Sequence, residues 1–143
     1  MVYELNPLDF NPVLEVTGCI IESKGKIILV KRKDSKVGGG KWGIPSGKVE
    51  KKENLLDSIQ REIKEETGIE VNKKEINFIH TYKVRRNGEY DFIYHLFYTK
   101  MANMKKILLN KEEHLKAIWI SPAKALKLPL VEGTDKFLKN IYG

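Results

Sequence analysis

At 143 residues with a single cysteine, the chain is sized for one domain, and an internal disulfide framework is excluded. Its formal net charge of +7 is unevenly placed, because residues 24–52 hold ten Lys and Arg against Asp34 and Glu50. No apolar run approaches the ~20 residues of a membrane span, and no signal-peptide layout opens the chain, so the expectation is one domain, residues 1–143, in the cytoplasm.

Asn6-Pro7 and Asn11-Pro12 read as extended or turning backbone, since a residue before proline is pushed out of the helical region. Leu14 to Ile21 then reads as a strand with Cys19 buried in it, Ser23-Lys24-Gly25 as a turn, and Lys26 to Arg32 as the hairpin partner. Residues 34–40 form a loop ending in Gly38-Gly39-Gly40. The GxxxxGK[ST] spacing is absent, so this is read as a rim and not as a P-loop.

An amphipathic helix follows, with Asn54 as N-cap, Asp57 near its positive end and Gly68 closing it. Leu56, Ile59 and Ile63 recur at spacings of three and four, which predicts one apolar face. Glu62, Glu65 and Glu66 fan over a common strip beside that face. Beyond the helix, Glu75 to Arg86 and Tyr90 to Lys100 are β-rich and joined by Asn87-Gly88, a tight-hairpin signal. In the second of these, Tyr90, Phe92, Tyr94, Leu96 and Tyr98 make one aromatic-rich face, as in a sheet covered by helices. Lys116 to Ile120 is a further strand, Ser121-Pro122 opens a short helix to about Leu126, and a last helix spans 135–142 with Phe137, Leu138 and Ile141 facing inward. The pattern is α/β, a mixed sheet between helices.

Three acids so close together repel one another by a few tenths of a kcal/mol per exposed pair. On an arbitrary acidic helix they would be a solvated charged face. Hard divalent cations need several oxygen ligands and bridge carboxylates to phosphates, which is chemistry that such a cluster suits. The basic 24–52 segment would in turn attract a polyanionic nucleotide.

Gly47, Glu53, Arg61-Glu62-Ile63, Glu65-Glu66 and Gly68-Ile69 fill all nine defined positions of a 23-residue pattern. This resembles the signature box of the Nudix hydrolases, and the preceding Lys41-Trp42-Gly43-Ile44-Pro45 is similar to the lead-in of the MutT-like branch. Ser46 stands where that branch more often has glycine, so a small residue is kept. The resemblance implies the Nudix-type α/β/α sandwich and an Mg²⁺-dependent hydrolysis of a nucleoside diphosphate linked to another moiety, with Mn²⁺ able to substitute. It makes Glu62 and Glu66 the core metal ligands, with Glu65 assisting and the Gly47 carbonyl completing the set. It has Arg61 pair with a catalytic carboxylate and Glu53 brace the loop against the helix. Glu113, six residues before Trp119, is similar in placement to the family's late acid, a metal ligand or general base, and is preferred over its neighbour Glu112.

His80, His95 and His114 lack zinc-site spacing; the first two read as sheet residues, while His114 could reach the substrate. Arg32, Lys41, Trp42 and Phe137 are the candidate substrate contacts, and Tyr82 and Tyr142 are further aromatics weighed for stacking and read first as core. The MutT-like approach points to a nucleoside triphosphate, oxidised or non-standard bases included, cut to monophosphate and pyrophosphate. No proline lies between Pro45 and Pro122, whereas the ADP-ribose branch carries one about fifteen residues past the box. Dinucleoside polyphosphates, nucleotide sugars and an RNA 5′ end remain alternative substrates, a non-catalytic nucleotide-binding module is the alternative outside enzymes, and a homodimer is left open.

Overall fold

The computed structural model describes residues 2–3, 9–33, 39–86 and 90–143. The Asn6-Pro7 pair, residues 34–38 of the glycine-ended loop and the Asn87-Gly88 turn lie outside these residues.

In chain order the elements are β1 (Val2–Tyr3), β2 (Pro12–Ser23), β3 (Lys26–Arg32), β4 (Trp42–Gly43), β5 (Ser46–Lys48) and α1 (Leu55–Thr67). A 3₁₀ turn (Lys73–Glu75), β6 (Asn77–Arg86), β7 (Tyr90–Lys100), β8 (His114–Ile120), α2 (Pro122–Ala125) and α3 (Thr134–Tyr142) follow. The sheet order is β1-β6-β7-β2-β3-β4, with β5 also pairing β2 and β8 pairing β3. β2 and β7 run parallel and the other pairs antiparallel, so the sheet is mixed as expected. The β2–β3 hairpin turns on Lys24 (φ 50°) and Gly25 (φ 77°), the paired positive φ values of a type I′ turn.

Helices cover both faces. One core joins Ile20, Leu29, Phe92, Tyr94 and Leu96 to Phe137 and Leu138 of α3 and Ala125 of α2. The other joins Cys19, Ile21, Ile28, Val30 and Phe97 to Ile59 and Ile63 of α1. Cys19, Ile20 and Ile21 are all fully buried because successive side chains of β2 enter opposite cores. Among the described residues no helix is long and apolar enough to cross a membrane.

The structure departs from the sequence reading at several points, the first being β2, which runs Pro12–Ser23 where Leu14 to Ile21 was expected, so Ser23 is strand and not turn. Asn72 caps a 3₁₀ turn at Lys73–Glu75 through a bond to the Lys74 N–H, so β6 starts at Asn77 and not at Glu75. β8 starts two residues early, at His114. Within α1, Leu56 is 39% exposed and Leu55 packs on the core in its place. The buried face is rotated toward Ser58, Glu62 and Glu66, so the expected strip of three acids is divided: Glu62 and Glu66 face the protein, and Glu65 stands half-exposed at the edge.

Candidate active site

α1 sets the floor of the site because its ends are fixed. The Asn54 side chain accepts the Asp57 N–H at 2.8 Å, and Gly68 ends the helix in the left-handed region at φ 74° with its N–H on the Lys64 carbonyl. The helix packs on β2 and β5, and a 2.8 Å hydroxyl contact joins Thr17 to Ser58. A cleft of about 660 Å³ opens beside it. Gly47, Arg61, Glu62, Glu65 and Glu66 line one end; Val84, Arg86, Tyr90 and Phe92 line the other.

Glu62 lies against the backbone of β5, and a Cβ at Gly47 would fall 2.1 Å from its carboxyl carbon and 2.2 and 2.3 Å from its oxygens. Only glycine leaves that space. Ser46 also has a task here: its side chain hydrogen-bonds the hydroxyl of buried Tyr94, whose own acidity is suppressed by burial.

Arg61 ties the acids together. Its Nε and Nη2 donate to Glu53 at 2.8 and 2.9 Å, a bidentate pair. Nη1 donates to Glu62 Oε1 at 2.8 Å and to Glu65 Oε2 at 3.2 Å, and Nη2 reaches the Lys48 carbonyl at 3.1 Å. Glu53 also accepts the Glu50 N–H at 3.0 Å, which locks the loop ahead of the helix. The Arg61 hydrogen bonds hold Glu53 well below the usual carboxylate range, at about 2. Burial instead lifts Glu62 to about 7, with the neighbouring charges of Glu66 and Glu65 adding to it and Arg61 opposing it.

Glu66 is 5% exposed, and its Oε2 lies 2.8 Å from Nδ1 of buried His114. His114 lines the cleft, as a residue that could reach substrate would, and within it faces a carboxylate. Glu113 lines the cleft, while Glu112 is exposed and does not. Arg32 lines it too, and both its Nε and that of Arg86 are buried without a hydrogen-bond partner.

Two of the expected substrate contacts stand elsewhere. Lys41 is exposed and Trp42 packs on the α3-side core, its backbone bridged to Leu130, because the β3–β4 pairing carries both away from the cleft. Phe137 lines the cleft but is 3% exposed, with its ring stacked on Tyr94 at 4.3 Å. Tyr82 packs on Phe137 and hydrogen-bonds Asn140, and Tyr142 bonds Glu22. His80 lies edge-on to Tyr82 at 4.7 Å, and His95 is held between Thr81 and Glu15 at 2.9 and 2.8 Å.

Among the described residues no three His, Cys, Asp or Glu side chains already converge as a metal cage. Arg61 is the reason, since its guanidinium draws Glu62 and Glu65 to itself while Glu66 turns to His114. The donor set still fits a hard divalent cation. It consists of the carboxylates of two buried glutamates beside a loop backbone, and a cation would offset both the burial and the neighbouring charges of Glu66 and Glu65 that raise Glu62.

The sequence reading did not find Asn110, Arg86 or Glu132, which also line the cleft. They come from segments far apart in the chain and carry no shared spacing.

A family model for the NUDIX domain matches residues 12–141. The chain is 35% identical over 118 residues to a CTP pyrophosphohydrolase of Escherichia coli, covering 82% of this chain and 83% of that one. It is 30% identical over 129 residues to the nucleoside triphosphatase NudI of Escherichia coli, covering 84% and 90% of the two chains. A MutT NUDIX hydrolase from Burkholderia pseudomallei has the same fold, with a TM-score of 0.78 at 22% identity over 90% of this chain and 97% of that one. With the family's motif folded around one cleft and its domain spanning nearly the whole sequence, this chain belongs to the Nudix hydrolases, enzymes that act on pyrophosphate bonds.

Proposed function

We propose that the chain hydrolyses nucleoside triphosphates to monophosphate and pyrophosphate with a divalent cation, Mg²⁺ by preference and Mn²⁺ as substitute. The observation that carries this reading is the buried Glu62–Glu66 pair on the floor of a cleft whose walls bear Arg32, Lys48 and Arg86. Acids on the floor suit a cation, and bases on the walls suit the phosphates it would bridge. The likeness to a CTP pyrophosphohydrolase over most of both chains supports a triphosphate over a dinucleotide.

In this reading Glu62 and Glu66 hold the cation, with Glu65 at the rim and the Gly47 carbonyl beside them. When bound, a divalent cation neutralises phosphate charge and lowers the pKa of a water. Arg61 fixes the rotamers of Glu62 and Glu65, and Glu53 fixes Arg61. Glu113 accepts the proton of the attacking water. The new P–O bond forms as the bridging P–O bond breaks, and pyrophosphate leaves with the electron pair. The field of the basic walls favours the more anionic substrate, so triphosphates should outcompete ADP-ribose.

A product screen over nucleoside triphosphates, nucleotide sugars and dinucleoside polyphosphates, with Mg²⁺ and again with excess EDTA, tests it. Monophosphate and pyrophosphate in equal amounts, lost with chelator, are expected. Full turnover in EDTA overturns the metal reading, and a tenfold or greater kcat/KM advantage for ADP-ribose overturns the substrate reading.

A further inference from the structure

We propose that His114 is a positioning residue that orients the carboxylate of Glu66 within the cleft, resting on the reading above that Glu66 holds the cation. The argument starts from a register fault. β3 and β8 pair as Val30 with Ala117 and Lys31 with Lys116, but Arg32 then pairs with His114, skipping Leu115. Side chains alternate along a strand, so uninterrupted pairing would direct Leu115 to the α1 side, together with Ala117 and Trp119. The bulge exchanges the two. Leu115 is 46% exposed, and His114, at 3% exposure, is turned inward on the same side as Arg32. A bulge that exposes a leucine in order to bury an imidazole re-aims a side chain, which is what bulges beside functional sites do.

The inward imidazole meets the Glu66 carboxylate. Nδ1 is 2.8 Å from Glu66 Oε2, and both atoms are buried with no well-aligned hydrogen bond. Leaving both unpaired would be costly, and two bare lone pairs at that distance would repel, so Nδ1 carries the proton and Oε2 is its acceptor. Holding Oε2 leaves the other oxygen of Glu66 for the cation. The arrangement matches the general rule that partners of a ligating side chain fix its orientation, with losses of about 10–100-fold in metal affinity when they are removed. The backbone supports it from below: the His114 N–H bonds the Asn110 carbonyl at 3.0 Å, closing the turn that carries Glu113.

The test is Mn²⁺ binding measured by the free-ion electron paramagnetic resonance signal, for wild type, His114→Leu and His114→Asn, each checked by thermal unfolding. The leucine variant fills the space without a donor and should bind Mn²⁺ at least about tenfold more weakly. The asparagine variant keeps an N–H near the Nδ1 position and should recover to within about threefold of wild type. Leucine binding equal to wild type overturns the positioning role alone. A wild type that takes up no Mn²⁺ overturns the metal reading and this proposal with it. A measurement on the unmodified protein guards against a variant that does not fold: long-range ¹H–¹⁵N spectra should show His114 with a proton on Nδ1, and a bare Nδ1 overturns the proposal.

Discussion

The two ends of the cleft are built in opposite ways. The acidic end comes almost entirely from one continuous segment, Gly47 to Glu66, in which a loop and a helix place five functional groups at fixed spacing. The far end is assembled from Leu14, Val84, Arg86, Tyr90 and Phe92, residues of three separate strands that meet because β6, β7 and β2 are neighbours. Chemistry that every member of a family shares can sit in a local motif. Selection of what the phosphates are attached to can sit in the tertiary assembly, where each position changes without disturbing the motif. The same division predicts which variants touch turnover and which touch recognition.

The largest effect is expected at the acidic end. Glu66→Gln keeps shape and helix propensity but removes a charged oxygen from the proposed cation site, and loss of several kcal/mol of transition-state stabilisation should lower kcat by about 10³-fold. The fold should survive, because the change removes repulsion with Glu62. Activity within about threefold of wild type would remove Glu66 from the machinery.

Next comes Gly47→Ala. The added Cβ would collide with the Glu62 carboxylate, so Glu62 must leave its position. A displacement of about 1 Å in a catalytic group costs about 10²-fold, and steady-state kinetics should show the loss in kcat. An unaffected kcat would mean that the position of Glu62 does not matter to the reaction.

A smaller effect is thermodynamic and contrasts two acids that share one arginine. Glu62 holds its proton more tightly folded than unfolded, at about 7 against an ordinary 4.5. Its contribution is therefore complete below the ordinary value and lost as pH rises through about 7. In EDTA the wild type should lose on the order of 2 kcal/mol between acid and neutral pH from this group, and Glu62→Gln should flatten that slope. Glu53 has the opposite sign: its contribution is present above the ordinary 4.5 and lost as pH falls toward about 2. Thermal unfolding against pH reads both, and a Glu62→Gln profile parallel to wild type would contradict the assignment.

The smallest effect belongs to the far end. Tyr90 lines the cleft and lies 5.8 Å from Phe92, ring centre to ring centre. Tyr90→Leu should raise KM for the best triphosphate about fivefold, the worth of about 1 kcal/mol of aromatic contact, and leave kcat within about twofold. A kcat loss as large as that of Gly47→Ala would erase the distinction between the two ends.

This division also explains what could be read from the sequence. The Asn54 cap, the Gly68 stop, the hairpin at Lys24-Gly25 and the strand Tyr90–Lys100 all follow from local rules, and local rules sufficed. Leu56 misled because periodicity gives the direction of a face but not its centre. Glu62 and Glu66 share the buried face, and hydrophobic spacing alone could not reveal that acids were drawn into it. Trp42 and Lys41 adjoin the motif in sequence yet leave the cleft, because strand pairing and not sequence distance decides where they go. The contact of His114 with Glu66 was hidden by a bulge, a feature of pairing between two strands that neither strand shows by itself.

The account rests on a cation held by the buried glutamate pair, and anomalous scattering from crystals soaked in Mn²⁺ observes that directly. The predicted result is a manganese peak in contact with carboxylate oxygens of both Glu62 and Glu66. Manganese bound elsewhere in the cleft with these two carboxylates untouched, or no manganese in the cleft of an active enzyme, would contradict it.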